Sequence, residues 1–220
     1  VFGRTRFYYD LQVHTRRYSR CSSIDPEALI EIARRRGLDG LVLTEHEHRW
    51  STEALEALRR RAGAPDFGLF AGCEVRTYHQ DRCTGDLLVF GMEPPQPPCT
   101  IDEVCRQARR VGALVIAPHP LVPGQGIGEE LHLAAIDALE VFNHRYRKVC
   151  ERRQLLQTWR ATGLPGVAGS DAHAPDEIGR HCTVFARRLR DLQELNAAIR
   201  AGQCRPWPAL PPLFTRMRVR

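Results

Sequence analysis

Lysine is nearly missing from this 220-residue sequence: of 32 basic residues only Lys148 is lysine, and the rest are arginine. Beside abundant Ala, Leu, Gly and Pro, that skew reads as a GC-rich coding bias. The net charge of +6 is therefore not by itself the mark of a nucleic-acid surface. C-x-x-C is absent as well. Eight cysteines (21, 73, 83, 99, 105, 150, 182 and 204) are scattered singly, which argues against a zinc ribbon. A chain this long buries a core without disulfide staples, so reduced cysteines in a cytoplasmic protein are the expectation. No apolar run approaches the ~20 residues of a membrane helix, and Val1–Arg6 lacks the basic-then-apolar layout of a secretion signal. Hydrophobic residues at 43% and charged residues at 26% exclude disorder, a collagen-like fibre and a coiled coil.

Short runs rich in Val, Ile, Leu and Phe alternate with longer helical patterns, which predicts a mainly parallel α/β architecture. The expected strands are Phe7–Val13, Leu41–Thr44, Gly68–Gly72, Leu87–Gly91, Ala113–Ala117, Ala138–Phe142, Gly166–Gly169 and Cys182–Phe185. Helices are punctuated by their caps. Asp25 with Pro26 opens one that Gly37 stops, and Thr100 with Glu103 forms a capping box for another that ends at Gly112. Further helices are expected at Ser51–Arg61, Lys148–Ala161 and Leu189–Ala201, with a short one at Glu129–Ala135. Glu93–Pro98 reads as a proline-rich loop, and Leu121–Gly128 as a loop over the pocket. With no internal repeat, residues 1–204 form a single domain followed by a Pro/Arg-rich tail, 205–220.

The polar residues that need explaining fall at strand ends. His14 follows the first strand, Glu45-His46-Glu47-His48 the second and Glu74 the third; Asp86 opens the fourth. His119 follows the fifth, Asn143 and His144 the sixth, Asp171 and His173 the seventh. In parallel α/β folds those positions converge at one end, where active sites are built. A gathering of imidazoles and carboxylates there suits one or more divalent cations, and closely spaced cations can activate water while neutralising a phosphate.

The order and wording of these pieces, Asp10-Leu11-Gln12-Val13-His14, Leu43-Thr44-Glu45-His46, Gly72-Cys73-Glu74-Val75, Ala117-Pro118-His119-Pro120, Leu139–Asn143 and Gly169-Ser170-Asp171-Ala172-His173, resemble the polymerase-and-histidinol-phosphatase (PHP) family over residues 8–186. The resemblance implies a distorted (β/α)7 barrel, two or three divalent ions (Mn, Zn or Fe) and hydrolysis of a phosphate mono- or diester through a metal-bridging hydroxide. Its substrate would be a phosphorylated small molecule, a nucleotide or a nucleic-acid end, with no membrane and no obligate protein partner. Carried over, His14, Glu74 and Asp171 fall at one metal site, His46 and His173 at a second, and Glu74, His119 and Asp86 at a third. Asp171 or His173 would assist proton transfer. Arg17 and Arg145 are the arginines placed to hold phosphate oxygens.

Two departures stand out. Gln12 replaces the first histidine of the family's His-x-His; its amide oxygen suits a hard cation better than zinc. Around Arg17–Ser22, where the family has a further ligand, this chain offers only Cys21. These departures keep an alternative open, a degenerate, non-catalytic PHP domain serving as a binding or regulatory module.

Overall fold

The computed structural model describes residues 5–132 and 134–208. The strands are β1 (Phe7–Val13), β2 (Gly40–Leu43), β3 (Gly68–Ala71), β4 (Cys73–His79), β5 (Arg82–Phe90), β6 (Leu114–Ala117), β7 (Ala138–Phe142), β8 (Gly166–Ala168), β9 (Cys182–Phe185) and β10 (Cys204–Trp207). The helices are α1 (Pro26–Arg35), α2 (Thr52–Arg61), α3 (Ile101–Val111), α4 (Val149–Thr162) and α5 (Leu192–Arg200), with a 3-10 turn at Gly128–His132. Their ends follow the capping chemistry. Asp25 accepts from the Glu27 N–H, Thr100 and Glu103 make a reciprocal capping box, and Gly112 closes α3 in the left-handed region at φ 76°.

The strands form two five-stranded sheets, ordered β10-β9-β1-β2-β3 and β4-β5-β6-β7-β8. Pairing is mixed rather than mainly parallel: β1-β2-β3 and β6-β7-β8 run parallel, while β9, β10 and the β4-β5-β6 ladder pair antiparallel. No closed ring of strands is drawn among the described residues, so the fold is mixed α/β. The sheets share an apolar layer containing Tyr9, Leu11, Val42, Phe70, Leu88, Phe90, Ile116 and Phe185. On the outer faces, α1 and α2 cover the first sheet and α3 and α4 the second. Burial on both faces explains why the strands read as continuous apolar runs.

The longest departure from expectation is the β4–β5 hairpin, of which only the last residues, from Leu87, were expected as a strand. Cys73–His79 alternates along its length, and Gln80 and Asp81 turn it with φ of 47° and 63°; paired left-handed residues are the signature of a tight hairpin. Arg205–Trp207, assigned to the tail, complete β10; the rest of the tail, from 209 on, lies outside the described residues. No described helix is long and apolar enough to cross a membrane.

Candidate metal centre

Two backbone bridges bring the sheets' ends together, Val13 to Ala172 and His46 to Glu74. Gly72 lets the chain pass from β3 into β4 with almost no gap, because a Cβ there would meet the Phe90 ring at 2.4 Å. Glu74 therefore sits at the carboxyl end of β3 although it belongs to the other sheet. His14 follows β1, His46 follows β2, His119 follows β6 and Asp171 and His173 follow β8, as their strand-end placement predicts.

Glu74 is the hub. Its Oε2 lies 3.2 Å from His14 Nε2 and 3.2 Å from His46 Nδ1. Its Oε1 lies 3.1 Å from His119 Nε2 and accepts from Gln12 Nε2 at 3.1 Å. Burial alone would raise this carboxyl, but the contacts with His119, His14 and His46 hold it well below the usual carboxylate range. Asp171 Oδ1 is 3.3 Å from His14 Nε2. The His14 ring stacks on His46 at 4.6 Å and on His173 at 4.4 Å between centroids.

Three ligand groups result: His14 with His46 and His173, His14 with Glu74 and Asp171, and Glu74 with Asp86 and His119, each with donor atoms within 4.8 Å of one another. The fit to a cation can be read from His14. Its Nδ1 faces Ser19 Oγ at 3.3 Å. In the tautomer that donates there, Nε2 presents a lone pair between two carboxylates. That Nε2 is fully buried, and neither carboxylate contact has the alignment of a hydrogen bond. A lone pair among negative charges is repulsive until a positive species enters. In the metal-free protein that species is a proton. Burial would push His14 down, but Asp171 and Glu74 carry it up to about 10, an attraction that survives the imperfect alignment. His173 is pushed down by burial and by the neighbouring His14, and its Nδ1 lies 2.8 Å from the Asp171 carbonyl, which leaves Nε2 as its ligand atom.

The supporting residues are as ordered as the ligands. Glu45 accepts from Thr15 N–H, from Thr15 Oγ1 at 2.5 Å, from Ser19 Oγ at 2.5 Å and from Trp50 Nε1 at 2.9 Å, which fixes the loops after β1 and β2 together. Asp10 accepts from the Ser170 N–H and hydroxyl and from the Gly179 N–H, pinning the loop that carries Asp171. His119 and Asp171 adopt φ of 31° and 52°, backbone strain of the kind held at functional sites. Ser19 carries no signal in the sequence, and Asp10, though the first residue of the Asp10–His14 motif, has no role assigned to it there.

Several expected residues sit differently. Gln12 is buried in the cluster but gives Glu74 an N–H, while its amide oxygen faces Asn143 Nδ2 at 3.4 Å. Asp86 is held by both N–H groups of Arg76, at 2.8 and 2.9 Å. Arg145 donates to Asp171 Oδ2 at 2.7 Å. Arg17 is exposed and lies 5.6 Å over the Tyr18 ring. Cys21 is exposed and joins none of the ligand groups. A cavity of about 550 Å³ elsewhere, lined by residues such as Phe185, Leu189 and Trp207, contains none of the candidate ligands.

Residues 151–204 match the PHP-associated family, PHP_C. No curated protein matches the sequence. Among solved structures, the chain is similar to a two-domain protein from Bacteroides vulgatus ATCC 8482 containing a predicted PHP-like metal-dependent phosphoesterase, at 18% identity over 93% of this chain and 65% of that one, TM-score 0.68. The chain thus spans just under two thirds of that protein. It is also similar to PsfC from Pseudomonas syringae PB-5123, at 17% identity over 94% and 93% of the two chains, TM-score 0.69. A third is the lesion-specific endonuclease PfuEndoQ from Pyrococcus furiosus, at 15% identity over 91% and 57%, TM-score 0.58. The likeness to these structures is one of fold. With that fold and its PHP-associated segment, the chain resembles the PHP family of metal-dependent phosphoesterases.

Proposed function

We propose that the chain is a metal-dependent phosphoesterase hydrolysing a phosphate mono- or diester, its two sheets forming a distorted barrel of the PHP type. The observation that carries this reading is the buried, unbonded His14 Nε2 between Glu74 and Asp171. His14, Glu74 and Asp171 would hold one Mn, Zn or Fe ion, and His46 with His173 would help hold a second. Such ions, when bound, polarise phosphoryl oxygens and lower the pKa of water. The protein's part is positioning. Arg145, braced on Asp171 through Nε, keeps its terminal N–H groups for phosphate oxygens. His173, kept neutral by its surroundings and held through Nδ1 by the Asp171 carbonyl, keeps its Nε2 lone pair for the second ion. A non-catalytic binding module, the alternative raised by Gln12 and by the missing ligand around Cys21, is not favoured: His14, His46, Glu74, His119, Asp171 and His173 all fall in the candidate ligand groups.

Tyr18 supports a nucleotide or nucleic-acid substrate, a class also suggested by the name of the Pyrococcus endonuclease. It is the one exposed aromatic of its size among the described residues, stacked on His48 at 3.7 Å beside the loop of His14. With His48 already stacked on the ring and Arg17 5.6 Å over it, a base would stack on Tyr18 where the exposed Arg17 side chain swings aside. Free cysteines throughout agree with a reducing, cytoplasmic setting.

The test is an assay of the purified protein with added Mn or Zn against phosphomonoesters and oligonucleotides, beside Asp171→Ala. The variant is expected to lose at least a hundredfold in rate; equal rates would overturn the reading.

A further inference from the structure

The three ligand groups differ in how fully their donor atoms are already used. In the group Glu74, Asp86 and His119, both Asp86 oxygens, Glu74 Oε1 and His119 Nε2 are taken, while His119 Nδ1 has no partner. Both Asp86 oxygens accept from Arg76, through Nε at 2.8 Å and Nη2 at 2.9 Å. Glu74 Oε1 is shared by His119 Nε2 and Gln12 Nε2, each at 3.1 Å. By contrast, the neighbouring group built on His14 has its central nitrogen unbonded.

The arginine fork is delivered by the backbone itself. Arg76 and Asp86 are direct cross-strand partners in the β4–β5 ladder, the register at which side chains on one face meet. Each partner is anchored again. The Arg76 N–H donates to Glu47 Oε1 at 2.6 Å, and the Asp86 N–H donates to the Gln125 carbonyl at 2.7 Å. Asp86 is buried while Arg76 is part-buried, so a permanent positive charge is held across a carboxylate that water screens little. A planar fork of two N–H bonds fits a carboxylate better than any point charge does. A divalent ion bound to an Asp86 oxygen would sit beside that guanidinium, like charge against like charge.

We infer that Arg76 takes the place of a third cation: its guanidinium supplies the positive charge at Asp86, and the centre holds two ions rather than three. Asp86 is then a partner of Arg76 and not a metal ligand. This rests on the metal-centre reading above but fails separately from it.

The experiment is the metal content per chain, measured by elemental analysis after equilibration with excess Mn and gel filtration. Wild type, Arg76→Met, Arg76→Lys and Asp86→Asn are compared. Two ions are expected in wild type, two in Arg76→Lys, two in Asp86→Asn and three in Arg76→Met, where volume is kept and charge removed. Should Arg76→Met not fold, wild type and Asp86→Asn carry the test alone. Three ions in wild type, the loss of an ion in Asp86→Asn, or no third ion in a folded Arg76→Met would each overturn the inference. Fewer than two ions in wild type would overturn the metal centre itself, and the inference with it.

Discussion

Gln12 shows how one side chain can keep its position in a metal cluster while changing its role. It is fully buried, and its amide spans Glu74 and Asn143, so it stabilises the hub carboxylate by a hydrogen bond rather than by sharing an ion with it. Gln12→His would return an imidazole to that position. The expected result is slower loss of zinc to a competing chelator, by tenfold or more, because imidazole is a better zinc ligand than an amide oxygen; an unchanged rate would show that the residue does not face the ions. Away from the cluster, His181 carries a separate residue-scale consequence. Burial, followed by the positive neighbours His144, Arg152 and Arg180, pushes its pKa down to about 4, and its Nδ1 has no hydrogen-bond partner. A histidine at 6.5 when unfolded and about 4 when folded binds its proton first in the unfolded state. Stability is thus fully present above pH 6.5 and falls as pH drops toward 4, by up to roughly 3 kcal/mol. Chemical denaturation across that range should show the decline, and His181→Leu should flatten it. The side chains that cluster at the candidate centre stood out in the sequence because imidazole and carboxylate recur there at successive strand ends. Arg76 did not, since in a chain whose basic residues are nearly all arginine no single arginine stands out, and only the cross-strand register reveals its partner.

At the scale of elements, β1, β7 and β9 were readable to the residue, because each is a short, largely apolar or aromatic stretch, broken by no more than single polar residues such as Asp10, Gln12 and Glu140, and bounded by polar or turn residues. The β4–β5 hairpin was less so. Polar residues such as Glu74 and Arg76 break its apolar run, because one face of the strand lines the site while Cys73 and Val75 on the other pack into the core. The hairpin is locked in turn by the loop before the 3-10 turn. A Cβ on Gly126 would lie 2.2 Å from the Pro120 carbonyl oxygen and 2.4 Å from that of His119, and one on Gly85 would lie 2.6 Å from the Gly126 carbonyl carbon. These contacts are with backbone, which cannot swing aside. Gly126→Ala should therefore cost about 1–3 kcal/mol in chemical denaturation, and it should also weaken binding at His119, whose own φ of 31° is set by that turn. A variant as stable as wild type would mean that the loop after β6 is not packed as described.

The whole molecule is two sheets that share an apolar layer and are bridged through backbone where the candidate site lies. His14 and His46 extend from the sheet built on β1 and β2, whereas Glu74 belongs to β4 and Asp171 follows β8 of the other. Elsewhere the join is apolar packing and a few links, such as Thr183 Oγ1 bonded to both the N–H and the carbonyl of Ala168. An ion bound by ligands from both sheets is consequently a cross-link that only the folded state can form. Binding to the native state alone raises stability by RT ln(1 + [L]/Kd), about 2.7 kcal/mol at a hundred times Kd. For a domain of this length that corresponds to a rise in Tm of roughly 5–10 °C. Manganese should produce that rise, EDTA should reverse it, and Asp171→Ala should abolish most of it, since the substitution removes the ligand that β8 contributes. Asp25→Ala, which takes away the cap of α1 and an exposed ion pair with Arg16, should lower Tm with and without manganese by the same amount. A manganese shift that survives in Asp171→Ala would remove Asp171 from the ion's ligands and leave Glu74 as the link between the sheets.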